Sequence, residues 1–140
     1  MLLTIEKVII LKSIELFSEI SESDLLAVSM EFETVEYEEN KVIINQGDIG
    51  TTMYIVISGE VTVEINDNVV ATLGEKSIFG ELSVFDPEPR SATIKTTEKT
   101  ILFKIESDIM YDLIGRYTNV AKGIIKILSQ RIRKLNELEK

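Results

Sequence analysis

The chain contains no cysteine and no histidine. Without thiols there is no disulfide framework, no iron–sulfur cluster and no cysteine nucleophile. Without imidazole there is no serine–histidine triad and no histidine metal ligand. No carboxylate spacing supports a metal site, and no nucleophile is paired with a base. We therefore assign no catalytic residue, no metal and no cofactor from the sequence. Basic residues are scarce as well: 15 Lys and Arg stand against 24 Asp and Glu, for a net charge of -9. A surface this acidic repels nucleic acid and anionic membrane, so neither is an expected partner. No apolar run approaches the roughly 20 residues that span a bilayer. The opening stretch, Met1 to Ile14, is apolar but is interrupted by Glu6, Lys7 and Lys12. It lacks the charged start and small-residue cleavage site of a secretory signal, which makes the cytoplasm the expected compartment.

What is present is a soluble globular profile, 140 residues long and 44% hydrophobic, enough for one domain spanning 1–140. Its hydrophobic period changes twice. Thr4 to Phe17 places Ile5, Val8, Ile9 and Ile14 at helical spacing. Ser21 followed by Asp24 reads as an N-cap, with a short helix over Leu25 to Met30 behind it. From Met30 to Ser107, short β-branched runs alternate with turn residues. The runs are 42–44, 54–57, 61–65, 69–73, 92–97 and 100–105, and the turns include Gln46-Gly47-Asp48, Ser58-Gly59 and Asn66-Asp67-Asn68. Strands at this spacing predict an antiparallel sandwich or barrel. Val61, Val63 and Ile65 share one face of their strand. From Ser107 the helical period returns, with Ile124, Leu128, Ile132, Leu135 and Leu138 forming an apolar stripe. The fold class is mainly β with flanking helices.

Residues 79–93 break the strand pattern. Gly80 and Glu81 open a short apolar segment, Pro87 and Pro89 end it, and Arg90 follows. Amides of Gly80, Glu81 and Leu82 at the start of a helical turn form an anion site. Arg90 offers a planar fork to two phosphate oxygens, and Ser91 adds a hydroxyl. Glu81 would repel a phosphate, but it suits a sugar hydroxyl, as the acid of a dinucleotide site suits ribose. Phosphate plus ribose within one short cassette indicates a nucleotide.

Phe79-Gly80-Glu81-Leu82 followed by Pro89-Arg90-Ser91-Ala92-Thr93 resembles the phosphate-binding cassette of the cyclic-nucleotide-binding domain family. Gln46-Gly47-Asp48 and 54–61 resemble the family's β-roll, and the similarity extends over nearly the whole chain. The resemblance implies an antiparallel β-roll (a double-stranded β-helix, jelly-roll-like) with N-terminal helices and a C-terminal helix. It implies that Arg90 pairs with a cyclic phosphate and that Glu81 accepts from the ribose 2′-OH. Amides near Gly80, Leu82, Ser83 and Ala92 complete the site, while Val63 and Leu73 pack on the base. Ser91 occupies a position where Thr favours cGMP and Ala favours cAMP, and it leans to cAMP. Lys134 and Leu138 fall near the position of a base-capping residue.

The expected function is a non-enzymatic regulatory sensor. Its ligand is cAMP or cGMP, its relay is movement of the C-terminal helix, and its effector lies outside this chain. The apolar stripe allows a homodimer through that helix. Asp86 and Glu88, two acids near an anion site, keep an alternative open: a degenerate module that binds no nucleotide and serves protein interaction. Arg90 is the only Lys or Arg between Lys76 and Lys95, and without ligand it is expected to face solvent.

Overall fold

The computed structural model describes residues 3–138, apart from the side chains of Leu82 and Leu138. In chain order the helices are α1 (Thr4–Lys12), α2 (Glu22–Ser29), α3 (Glu81–Phe85), α4 (Ser107–Arg116) and α5 (Thr118–Leu138). The strands are β1 (Glu33–Tyr37), β2 (Val42–Ile44), β3 (Thr52–Ser58), β4 (Val61–Ile65), β5 (Asn68–Leu73), β6 (Ile78–Phe79), β7 (Thr93–Thr96) and β8 (Thr100–Glu106). The chain forms two compact units: Glu31–Met110, and the segments before and after it.

The first unit is the expected antiparallel β-roll. Its strands make two four-stranded sheets, ordered β1-β8-β3-β6 and β2-β7-β4-β5, with every pairing antiparallel. Tyr54, Val56, Phe79 and Leu102 of one sheet meet Ile44, Val61 and Ile94 of the other in a shared core. Within it Tyr54 stacks on Phe79, with ring centroids 5.1 Å apart and planes at 18°. The expected inward face of β4 holds for Val61, which is buried, and Val63, which packs on the core; it ends at Ile65, which is exposed. β3 is buried over Met53–Ile57, as its unbroken apolar run requires of a strand covered on both faces. β1 and β6 are additional to the strands read from the sequence. The Val35/Tyr37 alternation of β1 was legible; β6 has two residues and no period to read.

In the second unit the expected single helix over Thr4 to Phe17 is two pieces. Helix α1 ends at Lys12, Ile14 is extended (φ -94°, ψ 127°), and a 3₁₀ turn occupies Glu15–Phe17. Ser13 is the cause in reach: its hydroxyl donates to the Ile10 carbonyl and competes with the helical ladder. Ser21 caps α2 as expected, its Oγ accepting from the Asp24 amide at 3.2 Å. The 3₁₀ turn packs on α5, where Gly123 lets Leu16 approach so closely that a Cβ would collide with it. Lys126 of α5 pairs with Glu15.

One turn of the roll depends on a glycine in two ways. Gly59, between β3 and β4, has φ +101°, and an added Cβ would sit 2.5–2.7 Å from Thr100 and the Lys99 carbonyl. Gly47 has φ +91° with open space around it. Gly59→Ala therefore combines backbone strain with overpacking and should lower stability by about 2–4 kcal/mol in urea unfolding. Gly47→Ala suffers the strain alone and should lose less. Equal losses would show that the Lys99–Thr100 contact does not matter.

Candidate functional site

The cassette begins where β6 ends. Gly80 takes φ +79°, a conformation L side chains avoid, and this lets the chain turn from strand into helix. Helix α3 is a short helix of five residues, and the Ser83 amide donates to the Gly80 carbonyl at 3.2 Å. Pro87 and Pro89 then prevent its continuation, and the backbone returns extended. Arg90 is fixed there by two 2.8 Å hydrogen bonds with the loop 47–49: Gly47 N–H donates to the Arg90 carbonyl, and Arg90 N–H donates to the Asp48 carbonyl. An isolated antiparallel bridge between Ile49 and Pro89 extends the pairing.

The Arg90 side chain does not face solvent, contrary to the sequence expectation; the residue is only 8% exposed. Its Nη2 donates to the Thr52 carbonyl at 2.9 Å and to Thr52 Oγ1 at 3.1 Å, and Nη1 donates to the Gly80 carbonyl at 3.4 Å. The guanidinium lies against Gly50, where a Cβ would collide with Nη2, Nε and Cζ, and against Gly80, where a Cβ would stand 2.8 Å from Nη1. The physical reason for the inward placement is backbone supply. Thr52 at the start of β3 and Gly80 at the β6–α3 corner turn oxygens toward the guanidinium. All three acceptors are neutral. Burial pulls the guanidinium pKa below its ordinary value, partly opposed by Tyr54, and no carboxylate contributes to holding the charge. A buried cation held only by dipoles is a site with anionic capacity to spare.

The other sequence candidates divide into three groups. Gly80 touches Arg90 directly, and next to it Glu81 and Ser83 are buried, Glu81 at 3% exposure, which is rare for this residue type. Leu82 lies in α3, with its side chain outside the described residues. Val63 and Leu73 are half-buried and pack on the core cluster that contains Phe79, the residue preceding Gly80. They sit on the paired strands β4 and β5, where Leu73 faces Val61 and Ala71 faces Val63. Ala92 is half-buried, whereas Ser91 is exposed. Asp86 and Glu88 are also exposed, so the two acids that favoured a degenerate module are not packed into the cluster. Lys134 is exposed on α5, and the Leu138 side chain lies outside the described residues.

Sequence reading missed Gly50 and Thr52. Gly50 had a signal, a second glycine just past the Gln46-Gly47-Asp48 turn with no turn of its own to make. Thr52 had none, since its main contribution is a backbone carbonyl. Among the described residues no group of three or more acidic side chains is placed to hold a metal ion. None of their helices is long and apolar enough to cross a membrane.

This geometry makes Arg90 structural even without a ligand. Arg90→Ala takes the guanidinium donor away from the Thr52 carbonyl and hydroxyl, while the Gly80 carbonyl keeps the Ser83 amide, and should lower the stability of the ligand-free protein by about 1–3 kcal/mol in urea unfolding. A change under about 0.5 kcal/mol, as for an ordinary surface residue, would restore the solvent-facing picture.

Comparison with known proteins agrees with this architecture. Residues 34–117 match the family model described as the cyclic nucleotide-binding domain. The chain is 25% identical over 126 residues to the CRP-like cAMP-activated global transcriptional regulator of Mycobacterium tuberculosis, covering 86% of this chain and 56% of that protein. It is 30% identical over 129 residues to the cGMP-dependent protein kinase of Eimeria tenella, covering 91% of this chain and 12% of the kinase. It superposes on the crystal structure of the Thermus thermophilus catabolite activator protein with a TM-score of 0.83 and 30% identity, over 89% of this chain and 62% of that one. The chain thus spans about half of the bacterial regulator and a small part of the kinase. With the β-roll, the cassette and the family match in agreement, this chain belongs to the cyclic nucleotide-binding domain family.

Proposed function

We propose that the chain is a regulatory sensor that binds cAMP in preference to cGMP through residues 79–93 and signals through its C-terminal helix. The observation that carries the reading is the buried Arg90, whose fork is held by neutral oxygens of Thr52 and Gly80. A cyclic phosphate supplies the counter-charge that this site lacks. In this reading Arg90 binds the phosphate and Glu81 accepts from the ribose 2′-OH. The amides of Gly80, Leu82, Ser83 and Ala92 complete the shell, and Val63 and Leu73 form the wall against the base. Ser91 supports cAMP only by its residue type; the relatives include both a cAMP-activated and a cGMP-dependent protein.

Binding has a built-in structural consequence. Nη2 donates to both the carbonyl and the hydroxyl of Thr52. A grip on phosphate through Nη2 competes with these bonds, so β3, the β6–α3 corner and the ligand share one guanidinium. The ligand shifts the conformational equilibrium by its difference in affinity between the two states.

Helix α5 suits the output. Of the apolar stripe, Ile124 is buried, while Ile132 and Leu135, with the neighbouring Ile125, are about 60% exposed. With half-buried Leu128 they make a heptad seam, isoleucine at 125 and 132 and leucine at 128 and 135. Isoleucine at the a positions and leucine at the d positions favour a parallel two-stranded coiled coil. We propose that this seam joins two copies and that the ligand state is read through it by an effector.

Calorimetric titration and sedimentation test the proposal. Calorimetric titration should show cAMP binding more tightly than cGMP. Arg90→Ala should weaken cAMP binding by roughly a hundred- to several thousandfold, the equivalent of about 3–5 kcal/mol for one partner of a buried charge pair. Arg90→Lys, which keeps the charge but loses the fork, should lie between them. Gly50→Ala pushes the guanidinium aside and should also weaken binding, and 2′-deoxy-cAMP should bind less tightly than cAMP. In sedimentation the parent should be a dimer and Ile132→Glu with Leu135→Glu a monomer. A parent that binds neither nucleotide at millimolar concentration would make the degenerate-module reading correct.

A further inference from the structure

Gln46 joins two parts of the β-roll that the proposed site uses together. Its backbone N–H donates to Thr93 Oγ1 at 3.0 Å, at the start of β7. Its side chain makes a reciprocal pair with Asn66: Nε2 donates to Asn66 Oδ1 at 3.2 Å, and Oε1 accepts from the Asn66 N–H at 2.9 Å. Asn66 and Asp67, with φ +50° and +67°, are the two-residue tip of the β4–β5 hairpin. On its other side Gln46 is followed by Gly47 and Asp48, whose backbones hold Arg90.

The hairpin tip has little else to hold it. β4 pairs with β7 only from Val61 to Glu64, so Ile65–Asn68 runs past the end of the neighbouring strand. β5 is the edge of its sheet. A register shift separates root from tip: Val63 faces Ala71 while Glu64 faces Val69, leaving Val70 as an extra residue. Such a bulge disrupts the ladder locally and bends the strand. Among the described residues, the hydrogen bonds that tie the tip at 65–68 to the rest of the roll all go to Gln46. The hairpin thus has a bend beside Val63 and a fastening at its tip, and the fastening is one residue away from the loop that grips Arg90.

We propose that Gln46 is a positioning residue that couples the β4–β5 hairpin to Arg90. Capture of the phosphate and closure of the Val63 and Leu73 wall on the base then occur as one event. Without Gln46 the phosphate end closes and the base wall does not follow. The inference rests on the cyclic-nucleotide reading and adds a residue that touches neither phosphate nor base in that reading.

The test is residue-resolved hydrogen exchange by NMR, with and without saturating cAMP, on the parent, Gln46→Leu and Gln46→Glu. In the parent, cAMP should slow exchange at Gly47 and Arg90 and at Asn66 and Asn68 together. In Gln46→Leu the slowing should persist at Gly47 and Arg90 and vanish at Asn66 and Asn68. Calorimetric affinity for cAMP should fall roughly three- to tenfold, the scale of one or two net hydrogen bonds. Gln46→Glu keeps the acceptor for the Asn66 amide and should recover most of the hairpin protection. Unchanged exchange in β3 and β8 reports an intact fold. If Asn66 and Asn68 gain the same protection in Gln46→Leu as in the parent, the hairpin follows the ligand without Gln46 and the coupling is wrong, while the ligand reading stands. A parent that shows no cAMP binding overturns both.

Discussion

The buried guanidinium of Arg90 is the interaction on which the rest of the site depends. One side chain donates to backbone carbonyls at the start of β3 and at the β6–α3 corner. Its presence explains two glycines at once. Gly80 needs both its positive φ and its bare Cα, while Gly50 needs only the absence of a Cβ. Neutral acceptors are enough to hold the arginine, but they do not neutralise it. The chain carries a net charge of -9, so its long-range field repels anions, and Arg90 is a local exception to that field.

The loop over Gln46 to Thr52 is the physical hub. Within seven residues it ties the hairpin tip through a side chain, holds the Arg90 backbone through two amide–carbonyl bonds, makes room for the guanidinium and accepts its hydrogen bonds. These tasks fall mostly to backbone groups, which a sequence specifies only through the turn residues that place them. Gly47 at φ +91° is the visible sign.

Helix α5 shows the same division between pattern and placement. An apolar stripe and flanking basic residues, Lys122, Lys126, Arg131, Arg133 and Lys134, are plain in the sequence. Which residues of the stripe serve the fold is a matter of rotation about the helix axis. Val120 and Ile124 are buried, the close contact at Gly123 sets the spacing to the 3₁₀ turn, and Ile125, Ile132 and Leu135 are left outside.

The sequence by itself determined the fold class, most strand positions, the Ser21 cap and the cassette. All of these are local signals: hydrophobic period, turn residues, or a motif contiguous in the chain. It also named Arg90 and Glu81 as candidates from a single short segment, and the fold buries both. It misjudged where Arg90 points, missed Gly50 and Thr52, ran α1 into the 3₁₀ turn and left the exposed Ile125 out of the apolar stripe. Arg90 and Thr52 are 38 residues apart. Their pairing exists only once the start of β3 and the segment leading into β7 are brought together. Tertiary structure decided these points because a spare carbonyl, a missing Cβ and the burial of a helix face are properties of what lies across the gap. A one-dimensional pattern carries no record of that neighbour.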